Sequence, residues 1–341
     1  MIQSAWWARV VVALVHVDWR VLAVLRGTMV LLFAACVAYY LRQSPASDRH
    51  RLWALSLGIC LLLPVLSAFA AGGAGAVAFG VGSPSLAVPQ SVAVVWLVGA
   101  AAVLARALLG VVIATRIARA ATPLDDDGWR RLLAEARSRM GVSRRVELRA
   151  TARVAAPITL GWLRPVVLLP PGYVAWSAEC RRAVIAHELA HVRRHDWPLQ
   201  LAERLVCAIY WFNPIVRCAA TRRRIEAERA CDEMVIAKGI PRSDYARHLV
   251  AVAEGSGRPL SGAMGLGRVG GDLDERVRAI LGPQPAMRRR RWLGGATGVL
   301  AVGGASIVMS SPGPVCPVAM EAARIAAGAD SPETPARLAS P

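Results

Sequence analysis

Lysine is almost missing from this 341-residue chain: Lys238 is the only one, and arginine supplies the other basic side chains. Acidic residues are also scarce, 23 against 41 basic ones, so the formal charge is +18. Charged residues make up only 19% of the chain and hydrophobic residues 55%, with a mean hydropathy of +0.42. That balance excludes a disordered polyelectrolyte and argues against a wholly water-soluble protein. The seven cysteines include no CxxC pair, which argues against a disulfide framework or a cysteine zinc site and suits a reducing compartment. Internal repeats are absent. The basic runs lack the interleaved aromatics of a nucleic-acid groove, so direct nucleic-acid binding is not expected despite a pI near 11.1.

Long apolar runs are what the chain does have. A helix needs about 20 apolar residues to cross a bilayer, and four segments qualify: Val21 to Leu41, Leu52 to Ala71, Val92 to about Ile113, and Trp292 to Ser310. Arginines flank them unequally. Arg42, Arg49 and Arg51 follow the first span, and Arg288 to Arg291 precede the fourth, whereas residues 72–91 carry no charge. The positive-inside rule then places the first loop and the long segment 118–291 in the cytoplasm. The expected organisation is an interfacial helix over 1–20, three transmembrane helices over 21–117, and a cytoplasmic domain over 118–291. A fourth transmembrane helix over 292–310 and a flexible tail over 311–341 complete it. A GxxxG at Gly294 and Gly298 offers a helix-pairing motif for a homodimer.

Within 118–291 the pattern begins with a turn and the amphipathic run WRRLLAEARSRM, then changes to short extended pieces bracketed by proline. These read as edge or hairpin strands. From Ser177 helix signals dominate: a cap at Ser177 with a helix to about Arg194, an apolar helix from Leu199 to Phe212, and a third helix from Pro214 to about Lys238 with Gly239 as its stop. The fold class expected is a mostly α membrane protein of four transmembrane helices, with a cytoplasmic α+β zincin-like domain between the third and fourth.

His187-Glu188-Leu189-Ala190-His191 is an HExxH motif in a helix pattern. Positions i and i+4 share one helix face, so both imidazoles can approach one tetrahedral Zn²⁺. Glu188 is placed to reach an attacking water as general base. A third protein ligand is required, and RRRIEAERACDE offers it. Glu228 and Asp232 lie at i, i+4, one able to ligate and the other able to accept the outer N–H of a ligand histidine. Glu226 is the rival ligand; it lies about 200° around the helix from Glu228, so only one can face the ion. His195 lies about 6 Å beyond His191 along a straight helix, out of reach of the same ion. No glycine turn of the metzincin kind follows the motif.

HELAHVRRHDW, YWFNPIVR and ERACDE together resemble the BlaR/MecR-type integral membrane zinc metallopeptidases, the antirepressor family. The layout of three spans, a metallopeptidase and a fourth span is similar too. The resemblance covers roughly residues 22–310. It implies one Zn²⁺ held by His187, His191 and Glu228, Glu188 as catalytic base, and Asp232 in support. APITLGWLRPVVLLP is similar to that family's substrate-side strand region, so Pro157, Ile158, Thr159, Leu160 and Gly161 are expected to align a substrate strand by main-chain pairing. It also implies a bacterial inner-membrane location and regulated cleavage, either of the chain itself or of a BlaI/MecI-type winged-helix repressor. The sequence departs from the antibiotic-sensing members after the fourth span, where about 30 residues follow with no serine–lysine acylation motif. β-Lactam acylation is therefore not expected as the trigger. The rival reading is a non-proteolytic membrane signalling scaffold with a structural zinc site.

Overall fold

A computed structural model describes residues 19–74, 89–255 and 269–282. Three long apolar helices come first: α1 (Trp19–Tyr40), α2 (Ala46–Ala74) and α3 (Gln90–Ala120). Each is long and apolar enough to cross a membrane, and each coincides with one of the first three expected spans. The expected fourth span, the interfacial helix up to residue 18, the tail and the GxxxG lie outside the described residues. Helix α3 runs past the expected boundary at 117 because no helix breaker occurs before Thr122. Much of its surface, including Val95, Leu97, Val98 and Leu109, is exposed apolar side chain, as a lipid-facing helix requires.

Helices α1 and α2 pack as an antiparallel pair through Val30, Leu31, Leu52 and Leu57. A short 3₁₀ turn, Leu41–Gln43, joins them. Pro64 lies inside α2, and its missing N–H frees the carbonyl of Cys60 four residues earlier. The Tyr210 hydroxyl fills that role, donating to the Cys60 carbonyl at 3.0 Å. Tyr210→Phe is expected to leave this buried acceptor unmet and lower stability by about 1 kcal/mol. A lower thermal midpoint in detergent, at unchanged helix content, would register it.

The rest begins with β1 (Thr122–Pro123) and α4 (Asp127–Met140). Asp126 caps α4 by accepting from the Trp129 amide at 3.0 Å, and Gly141 ends it at φ 65° in the left-handed region, where glycine is unstrained. Strands β2 (Glu147–Ala150), β3 (Ile158–Leu160) and β4 (Val166–Leu169) follow. The sheet order is β1-β2-β4-β3, with β2 and β4 parallel and β3 and β4 antiparallel. The prolines predict edge or hairpin strands; β3 and β4 form a hairpin, but β4 lies inside the sheet order rather than at an edge. Val167, Leu168 and Leu169 are fully buried, the signature of a strand covered on both faces.

Four helices carry the remaining chemistry after the 3₁₀ turn Pro171–Ala175: α5 (Ala178–Arg194), α6 (Asp196–Ile209), α7 (Pro214–Ala237) and α8 (Arg242–Gly255). Helix α9 (Val269–Leu281) is the last described element. Ser177 caps α5 by accepting from the Cys180 amide at 3.1 Å. Asn213 caps α7 with Pro214 in its first turn. Ile185, Leu189, Val167, Leu169, Val235 and Tyr245 meet in the core that fixes α5 against α7, α8 and the sheet.

Candidate metal centre

Helix α5 presents His187 and His191 on the face toward α7. Their Nε2 atoms lie 3.3 Å and 3.5 Å from the two oxygens of the Glu228 carboxylate. The three residues form a group able to hold one metal ion. Glu226, the rival, turns away: its carboxylate pairs with Arg49 of α2 at 2.8 Å. The 200° separation on α7 thus sends one glutamate to the histidines and the other to the apolar helix α2.

The outer ring nitrogens are engaged as well. Asp232 Oδ1 lies 3.3 Å from His187 Nδ1, and the Tyr245 hydroxyl sits 2.9 Å from the same nitrogen while donating to Asp232 at 2.6 Å. His191 Nδ1 meets Asp196 Oδ2 at 2.7 Å. An Nδ1–H donated to a carboxylate leaves the Nε2 lone pair free. Two such lone pairs and a carboxylate converging within hydrogen-bond distance repel one another unless a proton or a cation lies between them. The donor set of two imidazoles and one carboxylate matches that of a zinc site with an open fourth position. Glu228, whose side chain is 36% exposed, marks the side on which solvent reaches it.

A second group, His191, Asp196 and Cys231, also lies close together. Burial pushes the Cys231 thiol up to about 11, and Asp196 already occupies His191 Nδ1. The second group therefore buttresses the first rather than rivalling it.

His195 is absent from the centre for a local reason. It takes φ 59°, the only positive value at a non-glycine among the described residues, and this left-handed break separates α5 from α6. Its ring faces Arg144 at the surface. The same break places Asp196 beneath His191. A straight-helix extrapolation misses this geometry, although the aspartate directly after HVRRH was a visible signal. Tyr245 and Arg276 had no local signal: they arrive from α8 and α9. Arg276 contacts Asp232 at 2.7 Å and Glu228 at 3.2 Å.

Glu188 is buried on α5, and the Thr159 hydroxyl donates to its Oε2 at 2.7 Å. Thr159 lies on β3, at one end of the sheet order. The expected run Pro157 to Gly161 thus becomes a three-residue strand, Ile158–Leu160, beside the HExxH helix. Gly161 closes it at φ 88°, where an added Cβ would meet the Arg164 carbonyl at 2.8 Å.

Electrostatics follow from these contacts. Burial disfavours charge on His187 and His191, but Asp232 and Glu228 outweigh it at His187, and Cys231, Glu228 and Asp196 outweigh it at His191, so both rings are raised above their ordinary value, His191 well above. Burial would raise Glu228, yet His191, His187 and Arg276 hold it far below the carboxylate range. Asp196 resists burial through His191 and falls to about 2. In metal-free protein the raised histidines contribute stability that is full below their unfolded value of about 6.5 and lost as pH rises through their folded values. The depressed carboxylates contribute stability that is lost only as pH falls through their lowered values, below about 4. Chelated protein is therefore expected to be most stable in mild acid and to lose thermal midpoint toward pH 9. Added zinc should reverse that slope, because it binds deprotonated imidazole; thermal scans across pH with and without chelator check both signs.

An HExxH helix, a facing glutamate and apolar helices long enough to span a bilayer define a membrane metallopeptidase class. The family profile described as BlaR1 peptidase M56 matches residues 78–280, and the chain belongs to that family. It is 34% identical over 92 residues to "Regulatory protein BlaR1" of Bacillus licheniformis, covering 27% of this chain and 15% of that protein. Over 99 residues it is 26% identical to "Methicillin resistance mecR1 protein" of Staphylococcus aureus, covering 29% of this chain and 17% of that protein. The matched stretches thus span about a sixth of the length of these relatives.

Proposed function

We propose that the chain is a membrane-bound zinc metalloendopeptidase of regulated signalling, with His187, His191 and Glu228 as zinc ligands. The observation that carries this reading is the convergence of two Nε2 atoms on the Glu228 carboxylate, at 3.3 Å and 3.5 Å, with both Nδ1 atoms held by acidic or hydroxyl partners. When bound, Zn²⁺ supplies Lewis-acid polarisation of a scissile carbonyl and acidifies an attacking water.

The chain's own groups do the rest. Glu188 takes the water proton and delivers it to the leaving amine. Thr159 holds Glu188 in place through its 2.7 Å hydrogen bond. Asp196 fixes the tautomer of His191, while Asp232 and Tyr245 fix that of His187. Among the described residues strand β3 pairs with β4 on one side only, and its other edge accepts a substrate segment as an added strand over Pro157 to Gly161. The bond to be cut then lies beside Glu188.

Membership of the family supports a bacterial inner-membrane setting, with the HExxH side in the cytoplasm and the substrate being the chain itself or a BlaI/MecI-type winged-helix repressor. Incubating the purified chain in detergent with such repressors and following fragments by mass spectrometry tests this. Zinc-dependent fragments are expected. Intact repressor and intact chain under zinc-replete conditions would contradict the proteolytic reading.

A further inference from the structure

The turn between α6 and α7, residues 210–213, does not rest on the surface of the catalytic core; it reaches into the bundle of apolar helices. The Asn213 side chain donates to Thr28 Oγ1 of α1 at 2.8 Å. The Tyr210 hydroxyl donates to the Cys60 carbonyl of α2 at 3.0 Å. Trp211 Nε1 donates to the Trp96 carbonyl of α3 at 3.3 Å, and Trp96 Nε1 returns a bond to the Ile209 carbonyl at 2.9 Å.

Helix geometry converts these partners into a depth. Arg42 and Arg51 mark one end of the apolar stretches of α1 and α2, and Arg106 interrupts that of α3 towards the same end. At 1.5 Å per residue, Thr28 lies about 21 Å beyond Arg42, Cys60 about 13 Å beyond Arg51, and Trp96 about 15 Å beyond Arg106. The hairpin's own ion cluster lies level with that arginine belt. Arg223 Nη1 is 3.3 Å from His50 Nε2, beside Arg51, and Glu203 pairs with Arg223 and Arg224. Arg204 lies within electrostatic reach of Arg106. From Arg223 to Pro214 is again about 13 Å, matching the depth read along α2.

We propose that the α6–α7 hairpin is a re-entrant element whose turn lies in the lipid bilayer, near the middle of its roughly 30 Å hydrocarbon core. Two further features fit. A turn in hydrocarbon must satisfy its polar groups internally, and the Tyr210, Trp211 and Asn213 side chains each do so. The faces left over are apolar: Leu205 is 39% and Phe212 46% exposed, which suits acyl chains. Arg217, one turn below Pro214, has a long stem that lets its guanidinium snorkel to the arginine belt. Helix α6 begins at Asp196, in contact with His191, so the metal centre sits level with the lipid headgroups and meets its peptide bond at the membrane surface. The segment 118–291 is then not wholly cytoplasmic.

This inference rests on α1–α3 being membrane spans, so its test carries a probe for each. Single cysteines at Phe212, Leu205, Val98 and Glu135 are introduced into the full chain with its native cysteines replaced by serine. The protein is spin-labelled, reconstituted in phosphatidylethanolamine/phosphatidylglycerol vesicles, and its collision rates with oxygen and with a water-soluble nickel chelate are compared. The proposal expects Phe212 to match Val98, with strong oxygen and weak nickel contact, Leu205 beside the arginine belt to fall between, and Glu135 to show the reverse. Aqueous values at Phe212 with lipid values at Val98 would overturn the re-entrant hairpin alone. Aqueous values at Val98 would overturn the spanning reading and the hairpin together. Low contact with both reagents at Phe212 and Leu205 would assign the surface to protein and overturn the lipid contact.

Discussion

Replacing Glu188 by glutamine is expected to slow peptide hydrolysis by about 10²- to 10⁴-fold, the usual contribution of a positioned general base, while zinc content stays unchanged. The side chain is buried, its Oε2 is fixed by Thr159 at 2.7 Å, and it does not belong to the His187, His191 and Glu228 group. Glutamine is nearly the same shape and can still accept from Thr159, so the fold should tolerate it. What it cannot do is take up a proton. The check is cleavage rate and bound zinc measured on one preparation. Full activity in Glu188→Gln would instead favour a signalling scaffold in which the metal is structural.

The largest expected effect on stability lies away from the metal. Arg223 and Glu203 are each 2% exposed and pair with one another, while His50 Nε2 of α2 lies 3.3 Å from Arg223 Nη1. Glu203→Ala removes the only carboxylate that the described residues place against this guanidinium. An uncompensated buried charge of this kind costs about 3–5 kcal/mol. A fall in the thermal midpoint of the detergent-solubilised chain is the expected readout. Restoring neutrality with the double substitution Glu203→Leu, Arg223→Met should recover most of the loss, since a buried ion pair is often replaceable by apolar side chains of similar volume.

Much of the centre could be read from the chain because helical periodicity is local. The i, i+4 spacing of His187 with His191 and of Glu228 with Asp232 fixes which side chains share a face before any tertiary contact exists. The two runs then need only one packing of α5 against α7. The cap at Ser177 was legible for the same reason. The second set of contacts depends on tertiary placement. Tyr245 reaches His187 across 58 residues of sequence, and Arg276 reaches Asp232 across 44, with no periodicity linking them. Asp196 required knowing that His195 adopts φ 59°. The apolar run Leu199 to Phe212 is ambiguous between core and lipid in the sequence, because hydrophobicity alone does not distinguish the two.

X-ray absorption at the zinc edge on the purified full-length chain tests the central assignment most directly. One zinc per chain, with two imidazole nitrogens and oxygen donors near 2.0–2.1 Å and no sulfur shell, is the result expected of His187, His191 and Glu228. A sulfur neighbour near 2.3 Å would shift the site to Cys231, and metal-free protein after purification with zinc present would contradict the assignment outright.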